Sequence, residues 1–227
     1  MAKLIGYGED SLTLWALTKN YAKFKEMFKQ KFNDNLDEAT VFYRPSFGRG
    51  GKSDKNFGEF DAVIVSSEKV YLVESKWNNS SEIRKSKSTI VLREEQKLRY
   101  DILREYLKVW QKIVFENGKK IDEKNEYYNN LKDLLGKKLI EILSVNDANT
   151  TLFSNINKVA EIIIKNGIDC ENDSKYINLV LYFHFEPENN IYKIVDTKGE
   201  VLEFEVLNIS YKESDDDKDR FVNLAEM

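Results

Sequence analysis

The chain has 227 residues, 41% hydrophobic and 33% charged, with two prolines, one cysteine and one histidine. That length suits one domain and is enough to bury a core, and the composition is that of a globular protein. The lone Cys170 excludes an intrachain disulfide and, with His184 as the lone histidine, a typical zinc site. No apolar run approaches the roughly 20 residues that cross a bilayer, and the start MAKLIGYGEDSLTLW lacks the pattern of a signal peptide. A cytoplasmic location with no membrane partner is therefore expected. The net charge of −4 is unevenly spread. Between Arg44 and Lys112 there are 15 Lys/Arg against 10 Asp/Glu, and from Phe183 onward 5 against 12. A basic middle suits a local phosphate-binding surface; the plainer reading is a solvated helix face and an acidic tail.

In chain order, Asp10 or Ser11 is placed to cap a first helix running to about Phe32, with Leu14, Leu17, Tyr21, Phe24 and Phe28 on its buried face. Ala39 to Phe47 is strand-like and breaks near Pro45. Gly48 to Gly58 (GRGGKSDKNFG) is a basic, glycine-rich loop. Two short apolar runs follow, Asp61 to Val65 and Val70 to Val73. A long helix is expected from about Thr89 to Glu116, its apolar positions including Leu92, Leu103, Tyr106, Trp110 and Ile113. Two more are expected over Tyr127 to Leu143 and Leu152 to Lys165, the latter ending near Asn166-Gly167. Strands then follow from Ile177, Asn190 and Val201, and Glu213 to Arg220 is expected to be exposed and mobile. The order helix, strands, helices, strands argues for a mixed α/β domain.

The chemistry concentrates in GEFDAVIVSSEKVYLVESKW, Gly58 to Trp77. Read as a hairpin turning at Ser67-Glu68, it sets Asp61 directly opposite Glu74, with Cβ atoms about 4.5–5.5 Å apart. Lys76, two residues further, projects from the same face of the strand as Glu74, and Ser75 and Trp77 from the other. Two opposed carboxylates repel, and a protein tolerates that when a cation lies between them. Carboxylate oxygens suit Mg²⁺, which accepts one or two of them together with a substrate phosphate. Lys76 adds an ammonium group that is suited to orient water or balance charge on a phosphate. The plainer alternative is an ordinary Glu–Lys pair at a strand end.

Asp61, a gap of a dozen residues, and Glu74-Ser75-Lys76 together resemble the PD-(D/E)xK, or restriction endonuclease-like, nuclease superfamily. The resemblance covers roughly Glu9 to Tyr106 and departs from the motif at Phe60, where the family's first letter is proline. It implies an α/β fold with a central mixed sheet flanked by helices, here with extra helices and C-terminal strands. It implies that Asp61 and Glu74 bind Mg²⁺, which Mn²⁺ is able to replace, and that Lys76 assists the attacking water. Many members carry an acid in the first helix that points at the metal. Glu9 stands at that place, with Asp10 as the fallback, and helix N-terminal electrostatics explains Glu9 equally well. Gln96 and Tyr100 resemble the QxxxY motif of RecB-like members and share a helix face.

On this reading the chain is a single nuclease-like domain over 1–227, with a core of about 1–117, helical and β additions over about 118–212 and a mobile acidic segment over about 213–220. The expected activity is Mg²⁺-dependent endonucleolytic hydrolysis of DNA phosphodiester bonds, of a restriction, repair or phage-defence type, with a homodimer as one arrangement for cutting two strands. Catalytic candidates are Asp61, Glu74, Lys76, Glu9 and Gln96, the first two and Glu9 as metal ligands. Arg44, Arg49, Lys52, Lys55, Arg93 and Tyr100 are the candidates for contact with nucleic acid. Two alternatives stand beside this: an inactive nucleic-acid-binding or protein-interaction module on the same fold, and an RNase or toxin using the same site. His184, in the alternating run LYFHFEP, reads as structural, and Cys170 as a bystander.

Overall fold

The computed structural model describes residues 3–46, 59–84, 88–116, 137, 150–185, 191, 193–211 and 221–226. They fall into two compact units, one gathering 1–44, 60–93 and 176–227, the other 45–59 and 94–175.

The first unit is built on a five-stranded mixed sheet. Its strands are β2 (Thr40–Tyr43), β3 (Ala62–Val65), β4 (Val70–Trp77), β7 (Tyr176–His184) and β9 (Glu205–Ser210), in the order β2-β3-β4-β7-β9. Strands β2, β3 and β4 are joined antiparallel, whereas β4, β7 and β9 run parallel. Buried on both faces, β3 reads as an unbroken apolar run, AVIV, with no polar alternation. Val65 pairs with Val70 and Ala62 with Val73, so the hairpin has the register expected from a turn at Ser67-Glu68. Ser66 closes that turn: its hydroxyl oxygen accepts from the Glu68 and Lys69 N–H groups at 3.1 and 2.9 Å. The same hydroxyl and that of Tyr71 donate to the buried Asp34 carboxylate, each at 2.7 Å.

One sheet face is covered by two helices, α1 (Gly8–Leu17) and α2 (Tyr21–Phe32), through Leu12, Trp15, Ala16, Phe24 and Phe28 against Ile64, Tyr71, Val73 and Leu181. On the other face Val180 and Tyr182 pack with Ile90, Leu92 and Ile194. These last residues come from or flank a small sheet of β5 (Ile83–Arg84), β6 (Thr89–Val91) and β8 (Lys193–Val195), ordered β5-β6-β8.

The expected first helix is two helices. Asn20 N–H donates back to the Trp15 carbonyl at 2.9 Å, turning the chain between Leu17 and Tyr21. Neither Asp10 nor Ser11 caps it; Tyr7 is the cap residue and makes no side-chain cap bond. Residues 3–7 form β1 (Lys3–Tyr7), antiparallel to β10 (Phe221–Glu226), a pairing that no local pattern announced. The helix expected from Thr89 begins instead at Glu94: Thr89–Val91 is strand β6, and Leu92 donates its N–H to the Val195 carbonyl at 2.8 Å. Of the C-terminal strands expected as additions, β7 and β9 are members of the central sheet, where β7 pairs with the whole of β4, and β8 belongs to the small sheet.

In the second unit, α3 (Glu94–Glu116) and α4 (Thr150–Lys165) are joined by Asn157, whose Oδ1 accepts from the Tyr106 hydroxyl and the Trp110 indole at 2.7 and 3.0 Å. As expected, α4 stops at Asn166-Gly167. Gly167 takes φ +72°, and the N–H groups of Ile168 and Gly167 return to the Ile163 and Ile164 carbonyls, the double bond of a Schellman end. The helix expected over Tyr127 to Leu143, the Gly48–Gly58 loop and the Glu213–Arg220 segment lie outside the described residues, apart from a helical Lys137.

Gly6 in β1 is hemmed in: a Cβ there stands 2.5 Å from the Ser11 Cβ and 2.7 Å from the Leu224 Cδ1. Gly6→Ala should therefore force β1 from its place between α1 and β10, at a cost of about 1–3 kcal/mol. Equilibrium denaturant unfolding measures this, and an unchanged midpoint and slope would show that the strand has room to yield.

Candidate functional site

The end of β4 carries the site. Glu74 and Lys76 alternate with Ser75 and Trp77, so the first two share the β6 side of the sheet and the second two face α1. Ser75 is fixed by a hydroxyl bond from Thr13 of α1, 2.6 Å. That bond brings the first turn of α1, and with it Glu9, onto the end of β4. Glu9 Oε1 accepts the Trp77 N–H at 3.3 Å, while its other oxygen lies 3.8 Å from the Lys76 ammonium.

Lys76 is the hub. Its Nζ lies 2.9 Å from Glu74 Oε1 and 2.7 Å from Glu82 Oε2, and its side chain is only 5% exposed. Burial alone would pull the ammonium toward neutrality, but Glu74, Glu9 and Glu82 outweigh it and hold Lys76 above its ordinary value. It therefore remains a cation through the neutral range, able to donate hydrogen bonds and not to accept a proton. Glu82 is in turn gripped by Arg93, whose Nε stands 3.0 Å from Glu82 Oε1.

Asp61 sits one residue before β3, at the open end of the hairpin. Its own N–H donates to the Val73 carbonyl at 3.1 Å, and its Oδ2 accepts the Ser75 N–H at 2.6 Å. Desolvation first, then the Glu74 charge and to a lesser degree Glu9, push the Asp61 carboxyl up from 3.8 to about 8, against the opposing pull of the Ser75 N–H and Lys76. Asp61 and Glu74 thus feel each other as like charges in a shared low-dielectric space. Burial likewise raises Glu9, with Lys76 opposing and Glu74 and Glu82 adding to the rise.

Asp61, Glu74, Lys76 and Glu9 are accordingly gathered in one place. Asp10, the fallback for Glu9, is engaged elsewhere, in an ion pair with Arg44 on the surface. Arg44 itself takes φ +48° and donates its backbone N–H to the Asp61 carbonyl at 3.1 Å. Arg93 is exposed and joined to Glu82. Tyr100 is 1% exposed, which corrects its assignment to nucleic-acid contact, since a buried ring offers no surface to a strand. The four-residue spacing from Gln96 that suggested the role marks the buried face of α3 in the second unit. Gln96 is buried on the same helix. Arg49, Lys52 and Lys55 lie outside the described residues. His184 is buried in β7 with its ring stacked on Tyr182, centroids 5.8 Å apart.

Glu82 is not legible in the sequence. It stands in a polar turn, NNSSE, with no periodicity and no motif, and only the Ser80–Ile83 turn brings it back to Lys76. An open cleft of about 590 Å³ lies beside the hub, with Tyr7, Glu9, Lys76, Trp77, Glu82 and Arg93 among its walls.

For a divalent cation, Asp61 and Glu74 offer hard oxygen donors whose mutual repulsion a cation would relieve. Among the described residues no three of His, Cys, Asp and Glu form a metal-holding group. A Mg²⁺ site needs only one or two carboxylates, the remaining positions going to water and phosphate, so the pair fits the ion. Compared with known proteins, the chain matches no family model, no curated protein and no solved structure.

The Asp61 shift gives a direct test. A carboxyl whose folded value lies above its unfolded one contributes stability in full below 3.8 and loses it as the pH climbs through about 8. In metal-free buffer the thermal midpoint of the unaltered protein should fall relative to that of Asp61→Asn across this window. Parallel curves for the two proteins would show that Asp61 ionises as freely as in the open chain.

Proposed function

We propose that the chain is a metal-dependent nuclease that hydrolyses DNA phosphodiester bonds, on a restriction endonuclease-like core of the PD-(D/E)xK type. The observation that carries the reading is the hairpin register that brings Asp61 and Glu74 to its open end, with a protonated Lys76 at 2.9 Å from Glu74. A mixed sheet with helices on one face supports the core assignment in general form.

Asp61 and Glu74 would hold Mg²⁺, with Glu9, held at the end of β4 by the Trp77 N–H, as the further candidate ligand. The ion, when bound, supplies Lewis-acid polarisation of the phosphate and a more acidic water. The remaining work belongs to the chain. The Ser75 N–H fixes the Asp61 carboxylate and the Trp77 N–H fixes Glu9, so neither must be ordered at the moment of reaction. Lys76, kept protonated by its three carboxylates, donates N–H groups to the water or to charge growing on the phosphate oxygens. Glu82 and Glu74 hold that ammonium from two sides, which fixes its position without neutralising it. Arg44 and Arg93, both on the surface of the same unit, bring positive charge for the phosphate backbone.

Supercoiled DNA, linear DNA and RNA incubated with Mg²⁺ or Mn²⁺ should distinguish this reading from its rivals. We expect DNA cutting that EDTA abolishes and that Glu74→Gln slows by roughly 10²–10³ with unchanged circular dichroism; Lys76→Ala should slow it as much and also lower the thermal midpoint, because it leaves buried acids uncompensated. Cutting confined to RNA would make the protein a ribonuclease. Tight DNA binding with no cutting under any metal would make it a binding module.

A further inference from the structure

The cleft beside Lys76 has a composition that a phosphate site does not explain. Its walls carry Glu9, Asp10 and Glu82 together with Lys76 and Arg93, and these charges are paired: Glu9 and Glu82 with Lys76, Glu82 with Arg93 and Asp10 with Arg44. Charges paired in this way exert little net pull on a phosphate over most of the wall and leave room for a neutral heterocycle. The aromatic rings point the same way. Among the described residues the exposed aromatic side chains are Tyr7, 50% exposed, and Tyr43, 38% exposed. Both stand at the start of α1: Tyr7 is its cap residue, and the Tyr43 hydroxyl donates to the Asp10 carbonyl at 2.8 Å. Tyr7 is held by edge-on packing against Trp77, ring centroids 5.1 Å apart at 83°. A ring already fixed in place loses little freedom when a flat ligand settles on it.

We propose that this cleft seats an unpaired base of single-stranded DNA, stacked on Tyr7, with its phosphate held at the Arg93 side. The choice of DNA rests on the nuclease reading; the base platform rests on the rings and the cleft. A volume of about 590 Å³ lies within the roughly 300–1,000 Å³ of small-ligand sites, enough to seat one nucleotide. Bases in a duplex are stacked on one another and have no face to offer Tyr7, whereas an unpaired base does. Asn79, Ser80 and Ser81 in the same wall supply amide and hydroxyl groups for the edge of that base. The consequence is a preference for frayed ends, gaps or single strands over intact duplex.

The test is fluorescence anisotropy in EDTA with labelled oligothymidylate, the matching duplex and oligouridylate, on the unaltered chain and on Tyr7→Ala, Tyr7→Phe and Tyr7→Leu. Tyr7→Ala should weaken single-strand binding about tenfold, as loss of one stacked base predicts. Tyr7→Phe should stay within about twofold of the unaltered chain, because the ring is kept. Duplex binding should not move. Oligothymidylate should also quench tryptophan fluorescence, and Trp77→Phe should remove most of that quenching. Should Tyr7→Ala fail to fold, Tyr7→Leu keeps the apolar contact with Trp77 and lacks only the ring face. Equal single-strand affinity with and without the ring overturns the platform, and tighter Tyr7-dependent binding of oligouridylate overturns the choice of DNA. Tyr7-dependent binding by a chain that cuts nothing with Mg²⁺ sinks the nuclease reading alone. Metal-dependent cutting with no effect of Tyr7 sinks the platform alone.

Discussion

One buried ammonium group holds this site together. Lys76 draws in carboxylates from three separate stretches of chain: Glu9 from α1, Glu74 from its own strand and Glu82 from the turn that follows. Left to themselves those acids would repel one another in a poorly screened space. With the cation among them, each has a favourable partner, and the repulsion that remains falls chiefly on Asp61, where it appears as a raised carboxyl. The arrangement is thus a set of opposed charges held by buried backbone. Removing the ammonium leaves several acids desolvated and uncompensated, a far larger disturbance than the loss of one surface ion pair.

The scaffold beneath explains how such a charge cluster is tolerated. Strand β4 lies between β3 and β7 and is buried almost throughout, so its backbone is hydrogen-bonded on both edges and has little freedom to relax. The hairpin with β3 is local and quick to form. The pairing with β7 is not, because about a hundred residues, including the whole of α3 and α4, intervene between the two strands. Such long-range parallel pairing is slow to assemble, and the full environment of Glu74 and Lys76 exists only after it.

What the sequence reveals, it reveals where a local rule operates. The hairpin register is readable from two apolar runs of matched length about Ser67-Glu68, although SSEK does not dictate one turn type, and the positions of Asp61, Glu74 and Lys76 follow from it. Glu9 is readable as an acid at the start of a helix. The α4 stop is readable because Asn166-Gly167 permits the left-handed turn. The rest depends on partners distant in the chain. Strand β6 merges into the expected helix because Thr-Ile-Val runs straight into a helical sequence, and its identity comes from pairing with β8. The break between α1 and α2 falls in LTKN, where no proline or glycine signals it. Glu82 carries no pattern at all, and the spacing that suggests a surface role for Tyr100 also describes a packed helix face.

The pairing of β1 with β10 joins residues 3–7 to residues 221–226 and thereby leads the chain directly into Glu9. On the ribosome, the stretch that completes this pair is synthesised more than two hundred residues after the one it must hold. The nascent chain therefore carries its acids and its lysine for most of its synthesis without the clasp that seats α1 over them. Until β10 has emerged and docked, the strand that leads into Glu9 has no partner to hold it, and a peptide cut short before it would keep the hairpin yet lack the brace.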